Sequence, residues 1–561
     1  KKQLDKLDYL IYQLKLRGIY VNVNLLVSRH FTEADGVVDA EKLGMAAKPA
    51  SLFNPRLIEL QKKYAKDLLT HYNPYTKLRY NEDPVIALVE ITNENSIFNY
   101  WKIDGLNNIP PFSSQKTIPD YYIQELNTMW NLWLKKKYKT INNLHESWNF
   151  TIDEPIIKEN ILPKEEYWAL EARNNANGTV ERKNKAVNLK TINAPDIPWH
   201  LRYIVNGLIL SKDRIYLLSF SAAANKPLKI AVKAQEGQHP WRGLGFMKEI
   251  FLNSESKEFY IPFVPSFNSI KSQLSFIIGY DTGAITLSDL KLQELKTLPI
   301  VLNEKSLQNF SFTVPLYTFL NFYPEQERKD AQAFYANLEQ TFFEEIQDTL
   351  KKECNVKIPI TGIGGHSQPE NAMTQASCDF IDIHTGWDSP WFPQNKMQDQ
   401  NSFKIHNKSM ILDEQLGMIG DILGKKLEIG KKPFTISEWN HSFPNQYAYE
   451  SPALLASYAV RNNWDTLLQF SYNGDIKVSS ENSSIKNHFD IVANSQKLIL
   501  SMVGSLIFNA HKDVSLNIEK GTFQLLSQKI VGMAGSIKGN LLAEKNITIV
   551  SNQDGAIFLY S

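Results

Sequence analysis

Helix–strand units repeated at both ends of the chain, strands that close on polar residues, and a central run of short alternating strands predict an α/β protein, a (β/α)8 barrel interrupted by a β-sandwich. Outside the interruption six strands can be counted, ending near His30, Glu94, His366, His384, Glu438 and Tyr472, so the first two of eight would precede Lys1. The expected boundaries are 1–164 and 299–510 for the two parts of the barrel, 165–298 for the inserted sandwich, and 511–561 for a small C-terminal β-domain.

Each element rests on its own pattern. Leu4, Leu7, Ile11 and Leu14 share one helical face, and Gly18 ends that helix before the apolar strand Ile19 to Val27. Leu57, Leu60, Tyr64 and Leu68 repeat at helical spacing from Pro55, and the strand Val85 to Thr92 follows. A helix is expected from about Tyr121 to Tyr138. From Trp168 to Leu292 the helical period gives way to period-two strands separated by turn residues, the mark of a sandwich. The α/β alternation resumes with the amphipathic stretch from Glu327 to Lys352. Strands ending at His366, His384, Glu438 and Tyr472 come after it, and the tail from Val514 alternates again.

Composition narrows the function. Lys and Arg number 61 against 60 Asp and Glu, so no net field draws the chain to nucleic acid or anionic lipid. The two cysteines, Cys354 and Cys378, have neither metal-ligand nor redox spacing. No apolar run approaches the roughly 20 residues of a membrane span.

The chemistry is expected at the strand ends. VIALVEITNENS, from Val85 to Ser96, is an apolar β-branched run that stops at Asn93-Glu94-Asn95, and Pro433 to Ser437 stops in the same way at Glu438. A buried strand that delivers a carboxylate to the mouth of a sheet suits acid–base or nucleophilic work, and two such strands raise the question of whether the carboxylates meet. The strand-end histidines His30, His366 and His384 are candidates for contacts to hydroxyl groups. They show no His-x-His spacing and no evident carboxylate companion, so neither a metal nor a cofactor is called for.

An Asn-Glu closing one strand and a Glu closing the strand three units later resemble the clan of retaining (β/α)8 glycoside hydrolases that includes cellulases and β-galactosidases. Trp133 to Tyr138 with Leu144 and Trp148, Ser437 to Asn440, and Phe489-Asp490 add to the similarity. The resemblance implies that Glu94 is the acid/base on strand four and Glu438 the nucleophile on strand seven, with Asn93 on the sugar 2-hydroxyl. His384 would position the nucleophile, and Trp387, Trp439 and Tyr472 would line the sugar site. The insert is similar to β-sandwich carbohydrate-binding modules through Trp199-His200, Tyr216 to Phe220, Pro240 to Gly245, Gly283 and Ser288 to Leu290. The implied partner is a β-linked oligo- or polysaccharide, met outside the cell, in the periplasm or at the cell surface. The alternative is an inactive carbohydrate-binding protein that uses barrel and sandwich as a platform.

Overall fold

A computed structural model describes the chain except residues 1, 45–46, 107–117, 149–155, 184–185, 296–309, 367–368, 392–402, 414–415, 421, 424–431, 474–487, 493, 511–547, 552–556 and 561. It divides into two compact units, 1–102 with 329–561, and 103–328. Most of the segment expected as a C-terminal β-domain lies outside the described residues. Within it, Thr548–Ser551 and Ile557–Tyr560 form an antiparallel pair.

The first unit is built on one six-stranded sheet: β1 (Val21–Asn24), β2 (Ile86–Asn93), β3 (Ile360–His366), β4 (Ile381–Trp387), β5 (Phe434–His441) and β6 (Thr466–Gln469), neighbours in that order. Every pairing is parallel. The barrel expectation fails here. Among the described residues the sheet is open, because β1 pairs only with β2 and β6 only with β5. The reason is physical. Helix–strand alternation with short crossovers fixes which strands lie side by side, but closure depends on strand number, tilt and stagger, which periodicity does not encode.

Helices flank this sheet for local reasons. α1 (Lys2–Leu16) buries Asp8 and Ile11. The Asp8 carboxylate lies 2.9 Å from His71 Nε2 and accepts from the Tyr80 hydroxyl at 2.7 Å, so an acid on the buried face is satisfied rather than stranded. α2 (Pro55–Leu69) starts where the Asn54 side chain accepts the Leu57 N–H, with Pro55 in the first turn where its missing N–H costs nothing. Its face is formed by Leu57, Leu60 and Leu68, while Tyr64 of the expected stripe is exposed. Behind β4 and β5, Met410, Ile419, Ile422, Leu455 and Trp464 close a second apolar layer with Ile381, Ile383, Phe434 and Ile436.

The second unit contains two antiparallel sheets. One runs Lys257–Phe263, Ile215–Ala224, Gly283–Leu295, Ala186–Asn193, Asn177–Lys183; the other runs Gly243–Leu252, Leu228–Glu236, Ser269–Ile277, Leu201–Leu210, Trp168–Ala172. Alternate residues of both, among them Phe220, Phe246, Leu274, Phe276 and Ile285, meet in one apolar core. The helices Asp120–Tyr138 and Ile141–Trp148 belong to this unit. Trp130 and Trp148 are fully buried there with ring centroids 6.4 Å apart.

Candidate active site

The polar groups of the first unit converge at the C-terminal ends of β2, β4 and β5. Parallel strands all end on the same side, so their terminal residues meet whatever their distance in sequence. His384 on β4 is the register partner of Glu438 on β5. Glu94, immediately after β2, reaches the same imidazole: His384 Nδ1 lies 2.9 Å from Glu94 Oε1 and 3.6 Å from Glu438 Oε2. One oxygen of each glutamate and the imidazole nitrogen all lie within 4.8 Å of one another. The two glutamate side chains are about one-third exposed, and His384 is buried.

Glu94 holds its position at a backbone cost. Its φ is 45°, the left-handed region, which costs an ordinary L-residue roughly 1–2 kcal/mol. The residues around it are clamped. Lys48 Nζ donates to the Asn93 carbonyl at 3.0 Å, and Asn95 Nδ2 donates to the Lys48 carbonyl at 2.8 Å. The buried Glu339 accepts from Ser96 Oγ and from the Ile97 N–H, each at 2.9 Å. Strain that the surroundings over-determine in this way is common where a side chain must be aimed. Burial pushes the Glu339 carboxyl up to about 7, against the hydrogen bonds from Thr374, Ile97 and Ser96.

A second layer lies beneath. Asp382, fully buried two residues before His384, accepts from the Ser437 N–H at 3.0 Å, the Ser437 hydroxyl at 2.5 Å and the Thr435 hydroxyl. His384 Nε2 is 3.0 Å from the same Ser437 hydroxyl. Glu90, which accepts from Asn22 and Asn24 on β1, comes within 4.8 Å of Asp382 and His384.

These neighbours set the charges. For His384, burial opposes the cation, but the Glu94 hydrogen bond and the charges of Asp382, Glu438 and Glu94 outweigh it, and its pKa rises. Burial raises Glu438, His384 pulls it back, and Glu94 and Glu90 add to the rise. Burial raises Asp382, helped by Glu90. Lys48, with its ammonium close enough to feel Glu94, is lowered by burial. The site therefore holds carboxylates of unequal environment around one imidazole, which suits proton transfer beside a nucleophile. The same donors could surround a cation, but both imidazole nitrogens already face hydrogen-bond partners, and a metal would have to break those contacts.

The expected residues fare differently. Asn93 is at the end of β2, with its Oδ1 3.5 Å from Asn24 Nδ2. Trp387 closes β4 and donates its indole N–H to the Lys408 carbonyl at 3.1 Å. Trp439 is buried in the apolar layer behind the sheet, and Tyr472 is exposed just past β6. β1 stops at Asn24, so His30 is an exposed loop residue beyond the strand. His366 pairs in register with His384, and its side chain lies outside the described residues. Sequence reading missed Asp382, Glu90, Lys48 and Glu339. The first was visible: Asp382-x-His384 puts both side chains on one face of a strand, and it is the carboxylate companion that His384 was thought to lack. The other three come from an apolar strand, a one-turn helix and a distant long helix.

In the second unit a different polar arrangement crosses one sheet, with Gln235 and Gln273 buried and Asn206 exposed. Gln235 Nε2 donates to Gln273 Oε1 at 3.2 Å, and Gln273 Nε2 donates to Asn206 Oδ1 at 2.8 Å, a row of amides across three strands. On the strand that carries Asn206, Arg202 lies 5.9 Å from the ring of the half-exposed Trp199.

No family model and no curated protein matches the chain. Among solved structures it is similar to a CBM4 module, with 22% identity over 26% of this chain and 97% of that one and a TM-score of 0.21. The second N-terminal cellulose-binding domain of β-1,4-glucanase C from Cellulomonas fimi shows 16% identity over 26% and 97%, with a TM-score of 0.21. A family 11 carbohydrate-binding module from Clostridium thermocellum, in complex with a β-1,3-1,4-mixed-linked tetrasaccharide, shows 13% identity over 24% and 95%, with a TM-score of 0.19. By name all three are carbohydrate-binding domains, and none is a barrel hydrolase. Among the described residues no helix is long and apolar enough to cross a membrane.

Proposed function

We propose that the first unit is a retaining glycoside hydrolase acting on a β-linked oligo- or polysaccharide, with Glu94 as acid/base and Glu438 as nucleophile. The observation that carries this reading is the approach of the two carboxylates to within 4.8 Å. Retention needs carboxyl groups about 5–5.5 Å apart, because one must reach the anomeric carbon directly, whereas inversion leaves a wider gap for water. In the first half-reaction Glu94 gives its proton to the glycosidic oxygen as the C–O bond breaks, and the Glu438 carboxylate bonds to the anomeric carbon. In the second, Glu94 takes a proton from water as the water oxygen displaces Glu438. As a proton shared with Glu94 shifts onto His384, 3.6 Å from Glu438, the charge of the ring opposes the burial that raises the nucleophile. A polymeric glycan substrate places this work outside the cytoplasm.

The test uses the intact chain and a panel of β-glycosides. Glu438→Gln is expected to lower kcat by about 10⁴ or more. Glu94→Ala is expected to lose poor leaving groups first and to yield a glycosyl azide when azide is supplied. Full activity in both variants on a substrate that the wild type cleaves overturns the assignment.

A second reading, glycan binding without turnover, is favoured by the amide row Gln235–Gln273–Asn206. Neutral donors and acceptors in line on a sheet face suit sugar hydroxyls, and an exposed indole suits a sugar ring. This reading predicts glycan retention with no product released.

A further inference from the structure

We propose that Asp382, acting through Ser437, fixes the tautomer of His384 and thereby keeps a proton on Glu94, which makes Asp382 a positioning residue for the acid/base. The inference rests on the hydrolase reading above and extends it to a buried group that the double-displacement scheme leaves without a task.

Ser437 has a single hydroxyl hydrogen, and Asp382 Oδ2 stands 2.5 Å from its oxygen. Oδ1 of the same carboxyl already receives the Ser437 N–H and the Thr435 hydroxyl, so with Asp382 ionised the whole group is an acceptor. The Ser437 hydrogen therefore points to Asp382, and its oxygen is left to accept from His384 Nε2 at 3.0 Å. With the neutral ring's one hydrogen on Nε2, Nδ1 faces Glu94 Oε1 at 2.9 Å as an acceptor. Two bare acceptors at that distance repel, so the contact requires a proton, carried by Glu94 or shared with the ring. That is the proton Glu94 delivers to the leaving group.

The charges around the ring fit this arrangement. Glu90 faces it from β2, Glu94 from the residue after β2, Asp382 from β4 and Glu438 from β5, all within reach of one imidazole. Their combined charge raises the affinity of His384 for a proton, so the proton on the Nδ1–Glu94 line stays within this pair and is shared with the ring. Lys48 is the cation beside Glu94, and burial weakens its hold on its own proton.

Asp382→Asn reverses the polarity. The new amide N–H donates to the Ser437 oxygen, the Ser437 hydroxyl turns to donate to Nε2, and the ring hydrogen moves to Nδ1. There it hydrogen-bonds an ionised Glu94, and the acid is lost. Ser437→Ala cuts the same line without changing a buried charge, and covers the case in which the Asn variant does not fold.

The experiment is nitrogen-15 NMR of histidine-labelled protein, with the His384 resonances assigned by their loss in His384→Gln, together with kinetics on two β-glycosides, one with a sugar and one with a dinitrophenyl leaving group. In the wild type Nε2 is expected to carry the hydrogen of the neutral ring, and in Asp382→Asn the hydrogen is expected on Nδ1. Both variants should lose about 10²-fold or more in kcat/KM on the sugar leaving group, keep most activity on the dinitrophenyl glycoside, and show a basic limb moved to lower pH. A wild-type hydrogen on Nδ1, or equal losses on the two substrates, overturns the inference. If no glycoside is turned over by the wild type, the hydrolase reading falls, and the NMR result still decides the tautomer.

Discussion

The two units arrange polar groups on β-sheets in opposite ways. In the parallel sheet Glu94, His384 and Glu438 come from three strands and meet within 4.8 Å at the strand ends. In the antiparallel sheet Asn206, Gln235 and Gln273 form a row along a face, each neutral and each bonded to the next. The first arrangement concentrates charge where strain and burial can divide it unequally. The second spreads uncharged donors and acceptors across three strands, with Gln235 and Gln273 buried. Chemistry at one bond calls for the former and recognition of a chain for the latter. A sheet end suits convergence because every parallel strand terminates there, whereas a sheet face suits repetition because side chains recur at fixed spacing.

That contrast can be broken at its supports. Phe276 has no exposed surface and stands in the sandwich core, so Phe276→Ala is expected to cost about 3–5 kcal/mol of the second unit's stability in denaturant unfolding. A cost near zero would mean that the face carrying the amides is not supported by that core. In the first unit, the support is titratable. Glu339 has its native pKa at about 7 against an ordinary 4.5, so the folded state binds this proton more tightly than the unfolded one. Its contribution is present below about pH 4.5 and is lost as pH rises through 7. Glu339→Gln should flatten that fall by up to about 3 kcal/mol, read from melting curves between the two pH values. An unchanged slope would show that Asp382 and Glu438, raised in the same direction, carry it instead. The smallest effect is expected at the amide row. Gln273→Ala leaves Gln235 and Asn206 without their partner and should cost about 1 kcal/mol in stability, with roughly tenfold weaker binding of a β-1,4-glucan oligosaccharide by calorimetry. Unchanged affinity removes the amide row as a binding platform.

Much of the local architecture was legible in the residues. The helix from Pro55, the strand that runs into Asn93, and the change from helical to alternating period all reflect side-chain spacing and capping, which act over a few residues. Strand ends were less secure: β1 stops at Asn24, short of Val27, and strands His30 in a loop. Trp439 alternates with Glu438 along β5, and its placement in the apolar layer follows from that alternation. Asp382 stands on the same strand face as His384, but an acid inside an apolar strand gains its role from Ser437 and Thr435 on the neighbouring strand, which sequence spacing does not record.

What the sequence determined by itself is the order of the main helices and parallel strands, and two glutamates near strand ends, Glu94 just past β2 and Glu438 three residues before the end of β5. Those properties follow from short-range spacing. Only the tertiary structure decided that the six strands stay open at both edges among the described residues, that Lys48 and Glu339 clamp the turn carrying Glu94, and that four carboxyl groups share one imidazole. Closure, clamping and charge sharing depend on strand stagger and on residues hundreds of positions apart, and no local pattern records either.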